Sequence, residues 1–199
     1  MIPFSYPEKP HERRHGPLGY AQAASYRPWL RDEFDFRCVY CLDREQWQKH
    51  IGKFAVEHFL PVSKYPSQEL DYDNLVYACV SCNLTKAQGE VADPTGTLLN
   101  DSIVIHGDGR MEGRTKEAAR LIDKLLLDSE ECRIFRRRWI NIIRLAKMHA
   151  RDLYQELLGY PLDMPNLARL RPSAGNKRPE GIRESHYARQ KRGELPATY

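Results

Sequence analysis

Nine residues stand out by type and spacing. Cys38 and Cys41 form one Cys-x-x-Cys pair, and Cys79 and Cys82 form a second, with 37 residues between them. Inside that interval lie the adjacent Glu57 and His58, then Asn74, and just past the second pair come Asn83 and Lys86. Where thiols stay reduced, two such pairs suit a tetrahedral four-thiolate zinc site, because a two-residue gap lets both sulfurs of a pair face one ion. Unrelated core cysteines or a redox pair are the bland alternatives. A four-sulfur site leaves no open coordination position, so its role would be structural. Cys132 has no partner at ligand spacing. His106, His149 and His186 also lack one, and read as structural or exposed.

The elements that must position these residues follow from pattern. Lys53–Pro61 reads as a strand ending near Pro61, on which Glu57 and His58 point to opposite faces. A loop follows from Ser63 to Leu70, then Asp71–Ala78 leads into the second cysteine pair, and Asn83–Lys86 reads as the first turns of a helix. That position also suits Asn83 as a helix N-cap. Trp29, Leu30 and Phe34 predict a short helix before the first pair.

Beyond residue 93, Ser102–His106 is a β-type run and Gly107-Asp108-Gly109 a turn signal. Helical pattern predicts one helix over 115–127 and a second over 130–158, with Asp128-Ser129 as break and cap. On the second, Phe135, Trp139, Ile142, Ala146, Ala150, Leu153 and Leu157 fall within an arc of about 80°. Arg133, Arg136, Arg137, Arg144, Lys147 and Arg151 fall within about 100° on another side. Such a stripe suits either solvent or a nucleic-acid backbone. The chain therefore divides into an extended arm (1–24), a cysteine-clipped core (25–93), a hairpin and helical extension (94–165) and a basic, flexible tail (166–199). The fold class is α+β.

The chain has 199 residues and a net charge of +4. Residues 169–192 hold eight basic and two acidic residues, so the remainder is slightly acidic. A basic tail suits a polyanion, nucleic acid first, and equally a solvated end. No apolar run reaches the roughly 18 residues needed to cross a bilayer. The N-terminus lacks the apolar core of a secretory signal, so a cytoplasmic protein is expected.

The order Cys-x-x-Cys, Glu57-His58-x-x-Pro61, Asn74-Leu75, Cys79-x-x-Cys82-Asn83-x-x-Lys86 resembles the HNH endonuclease family, in the subgroup whose ββα-metal motif is clipped by four cysteines. The resemblance spans about residues 31–90. It maps the three signature positions to His58, Asn74 and Asn83, and departs from the usual Asp before the histidine, since Glu57 stands there. It implies a DNA nuclease leaving 5′-phosphate and 3′-hydroxyl ends, a bacterial anti-phage role, and a restraining partner such as an ATPase. The chemistry agrees with the residues. His58 suits a general base, since a reference imidazole titrates near neutrality. Glu57 and the Asn83 side-chain oxygen suit a hard divalent ion, Mg²⁺ or Mn²⁺. Asn74, the middle residue by resemblance, would tie the loop to the strand and orient His58. Lys86, Arg137 and Arg144 are the expected nucleic-acid contacts. The rivals are a zinc module that binds nucleic acid without cutting it, and an RNA nuclease.

Overall fold

The computed structural model describes residues 3–48 and 54–199. Lys53, the first residue of the expected strand, lies outside them. Strand β1, Phe54–His58, pairs antiparallel with β2, Leu75–Cys79, setting Glu57 opposite Val76 and His58 opposite Leu75. Helix α2, Val80–Lys86, then follows β2 without a linker. Two antiparallel strands and a helix are too small to bury a core of their own.

The flanks supply that core. Helix α1 spans Arg27–Glu33, starts with Pro28 in its first turn, and buries Trp29 and Leu30 completely. Pro is tolerated there because its missing N–H would have no helical partner. A short helix α3, Pro94–Thr97, leads to strands β3 (Ile103–Ile105) and β4 (Met111–Gly113), the expected hairpin. Its turn needs glycine at 109, where φ is +90° and an added Cβ would lie 2.1 Å from the Arg133 carbonyl oxygen. Helix α4, Lys116–Lys124, is capped by the Thr115 hydroxyl, and α5, Glu130–His149, by Ser129 as the sequence predicts. Among the described residues, no helix is long and apolar enough to cross a membrane.

Three expectations need correction. The predicted helix over 130–158 is two helices. Ala150 (φ −147°, ψ 77°) breaks it, and α6 runs Arg151–Leu158. Alanine is the best helix former, so nothing local marks the break. Beyond the break, the Trp47 indole donates to the Leu157 carbonyl at 2.9 Å and holds the end of α6. Second, the buried face of α5 is rotated toward Arg136: Arg136, Ile140, Ile143 and Ala146 are buried, while Ile142 and Leu153 are exposed. The basic stripe is therefore interrupted. Arg136 donates to the carbonyls of Gly109 (2.6 Å) and Leu127 (2.7 Å), and Arg133 pairs with Asp128 at 2.6 Å.

Third, neither terminal segment hangs free. His15 and His186, one from each, meet on the Asp32 carboxylate at 2.8 and 3.0 Å, and Pro17 bridges Asn176. The Tyr199 ring lies against the guanidinium groups of Arg37 and Arg44. Helix α7, His186–Lys191, is capped by Ser185. The acids of α1 and its exit, Asp32, Glu33 and Asp35, supply the counter-charges that hold Arg14, His11 and His186.

This clamp has a pH consequence. Burial alone would push His186 down, but hydrogen bonds to Asp32 and Asp35 outweigh it and leave its pKa above the ordinary imidazole value. A raised folded-state pKa means stability that is complete below the unfolded value, about 6.5, and lost as pH rises through the folded value. The melting temperatures of wild type and His186→Gln should differ most near pH 6 and converge in alkali. A gap that stays constant with pH would remove the charge from the clamp.

Candidate active site and cysteine cluster

The cysteines first. The first pair sits in a tight turn: Leu42 N donates to the Cys38 carbonyl at 2.9 Å, and Leu42 takes a left-handed φ of +59°. Val39 N donates to the Tyr77 carbonyl at 2.9 Å, which fastens the turn to β2. The second pair starts α2, where the Cys79 sulfur caps the helix by accepting from Cys82 N at 3.5 Å. The four sulfurs lie within 4.8 Å of one another, and Cys41 and Cys79 are 3.7 Å apart. Hydrogen bonds from Cys38, then from Cys41 and Cys82, push the Cys79 thiol far below its ordinary pKa. The four are positioned to bind a metal. Cys132 is not one of them.

Next to this clip, Glu57, His58, Asn83 and Lys86 line one cleft of about 190 Å³, with Pro61 and Val62 on its wall. The sequence puts Glu57 and His58 on opposite faces of a strand. They share the cleft because they stand at the end of β1, where the ribbon stops and Pro61 turns the chain.

His58 is half-buried, and its Nε2 lies 2.8 Å from the Glu69 carbonyl oxygen. A carbonyl only accepts, so Nε2 carries the hydrogen. In the neutral ring the lone pair is then on Nδ1.

Asn74 does not line the cleft. Its side chain, 2% exposed with the rest of the residue, braces the loop behind His58. Its Oδ1 accepts from Leu60 N at 3.0 Å, and its Nδ2 donates to the carbonyls of Leu60 (3.1 Å) and Gln68 (3.2 Å). Gln68 precedes Glu69, so Asn74 holds the carbonyl that holds His58. Truncation would leave buried backbone groups unpaired at about 1–3 kcal/mol each. Three backbone groups lose a partner, so Asn74→Ala should lower stability by at least about 3 kcal/mol, read by urea unfolding. It should also let the His58 ring turn. A folded variant of unchanged stability would show that the loop holds itself.

Lys86, expected at a substrate phosphate, is buried instead. Its Nζ lies 2.7 Å from Glu57 Oε1 and donates to the His58 carbonyl at 2.7 Å. The other Glu57 oxygen, Oε2, accepts from the Tyr40 hydroxyl at 2.6 Å. Burial, then the Glu57 charge, drives the Tyr40 pKa well above its ordinary value, so Tyr40 keeps the proton that it donates to Glu57. Arg137 and Arg144 are exposed on α5 and are not among the residues lining the cleft.

Sequence reasoning missed Tyr40 and the Glu69 carbonyl. Tyr40 sits inside the first cysteine pair, so its place beside the metal clip was visible. Its reach to Glu57 was not, since 17 residues separate them.

Chemically, the cleft offers a carboxylate, a primary-amide oxygen and an imidazole. This oxygen-rich donor set fits a hard divalent ion and does not suit a soft one. No curated protein matches the chain. Residues 38–89 match the model of the HNH endonuclease family. They contain the clip, β1, β2, α2 and every residue of the cleft, so the segment that resembles the HNH endonuclease family is the one that carries the four cysteines positioned to bind a metal.

Proposed function

We propose that the protein is a metal-dependent endonuclease that hydrolyses phosphodiester bonds in DNA, with His58 as general base. The observation that carries this is the hydrogen bond of His58: its Nε2–H is committed to Glu69, which leaves Nδ1 as the proton acceptor of a residue that lines the cleft with Glu57 and Asn83. Nδ1 takes the proton of the attacking water, and the Glu69 carbonyl stabilises the imidazolium that forms. Asn74 keeps that carbonyl in place through Gln68. Glu57 and Asn83 would hold Mg²⁺ or Mn²⁺ through oxygen. That ion supplies charge neutralisation at the phosphate and at the leaving alkoxide. The four cysteines would hold zinc, closed to solvent ligands, as a structural staple.

Backbone chemistry of this kind carries little sequence information. The test offers one sequence as duplex DNA and as RNA to the zinc-loaded chain with Mg²⁺. DNA cleavage to ends that a ligase rejoins is expected. Preferential cutting of RNA would overturn the DNA assignment and keep the nuclease.

A further inference from the structure

Both oxygens of the Glu57 carboxylate are held by protein groups. Glu57 is 4% exposed and Lys86 3% exposed. A buried carboxylate needs a counter-charge, and here the Lys86 ammonium supplies it on Oε1 while Tyr40 holds Oε2. We infer that Lys86 is the resident counter-ion of the divalent site: it holds Glu57 when the ion is absent, competes with the ion for Oε1, and is displaced when the ion binds. Tyr40 is the positioning residue that keeps Glu57 in place during the exchange.

The electrostatics point one way. An ammonium and a divalent cation cannot both sit close to one buried carboxylate without strong mutual repulsion. Lys86 therefore weakens the ion's binding and at the same time keeps Glu57 from standing as an unpaired buried charge. Its second bond, to the His58 carbonyl, keeps the ammonium in the cleft.

The inference rests on the reading of Glu57 as a ligand of the divalent ion. The experiment uses the full zinc-loaded chain without nucleic acid. Mn²⁺ is titrated against it, free Mn²⁺ is read by electron paramagnetic resonance, and melting is followed with and without Mn²⁺. Lys86→Met should bind Mn²⁺ about tenfold or more tightly than wild type. It should melt below wild type without Mn²⁺, and the gap should close as Mn²⁺ is added. Lys86→Gln keeps a hydrogen-bond donor without the charge, and should tighten binding in the same direction even if the methionine variant folds poorly. Lys86→Arg should retain wild-type affinity. Equal or weaker Mn²⁺ binding by both folded neutral variants would overturn the inference. Glu57→Gln should lose the ion in either background. If it does not, the ligand assignment fails, independently of what Lys86 does. Mn²⁺ binding that tightens on Lys86→Met, beside a wild type that never cuts nucleic acid, would overturn the nuclease reading and leave the counter-ion inference standing.

Discussion

Replacing His58 with alanine is expected to slow phosphodiester cleavage by about 10³-fold, within the range that a positioned general base contributes. The fold should survive. His58 is half-buried, and its side chain contributes one hydrogen bond, to the Glu69 carbonyl. Such a bond is worth about 1 kcal/mol net. For a chain of this size that moves the melting temperature by about 2–4 °C. The split between a large kinetic loss and a small thermal one separates a catalytic role from a structural one. Single-turnover cleavage under excess enzyme, beside a thermal melt of the same preparation, reads both. A His58→Ala protein that cuts at the wild-type rate would remove the general base from the mechanism. A variant that loses rate and melts far below wild type would make His58 structural.

Removing the metal from the cysteine cluster should have the largest effect on stability. The clip closes a loop from Cys38 to Cys82, and the loop contains both strands of the module. Structural zinc sites contribute folding energy directly, about 10–16 kcal/mol in isolated zinc-finger peptides. This chain has a buried core around Trp29, Leu30, Leu75 and Tyr77, so part of the fold has other support. A loss of about 5 kcal/mol is the expectation, or roughly 10–20 °C in melting temperature. Cys79→Ser should reproduce it through the lost sulfur alone, because serine keeps the cap of α2. Nuclease activity should fall with the clip even when Mg²⁺ is in excess. Tyr40, between Cys38 and Cys41, holds the Glu57 carboxylate. Metal content by elemental analysis, melts before and after chelation, and a readdition series of Zn²⁺ test this. An unchanged melt after complete removal of the metal would contradict the structural role.

The residues that were legible in the sequence are those whose chemistry depends on type and spacing. Two cysteine pairs, Glu57-His58, Asn74 and Asn83 could be named because each belongs to a pattern of fixed order, and the fold brings Glu57, His58 and Asn83 to one cleft. Asn74 lies behind it, bracing Leu60 and Gln68. The Glu69 carbonyl was illegible for a simple reason: every residue has a carbonyl, and only the fold selects one. Lys86 was placed near the site but given the wrong neighbour. Helical spacing put it close to Asn83 and could not show that a buried carboxylate would claim its ammonium. Charge counting failed at the ends of the chain in the same way. It saw the basic residues of the tail but not the acids of α1 waiting for His186, nor Asp73, which pairs with Arg178 at 3.2 Å. The hairpin and the capped start of α5 were readable from local turn and cap chemistry. The break at Ala150 was not, since alanine carries no local signal for one.

The proposed cutting of DNA by this cleft, with a divalent ion and a His58 base, is tested most directly by incubating supercoiled plasmid with the zinc-loaded full chain in Mg²⁺ or Mn²⁺, beside EDTA and His58→Ala controls. Wild type should convert supercoiled plasmid to nicked or linear DNA, and EDTA and His58→Ala should each abolish the conversion. Plasmid that is retarded in a gel at low salt but stays intact in both metals would contradict it, and would leave a zinc-stapled module that binds nucleic acid without cutting.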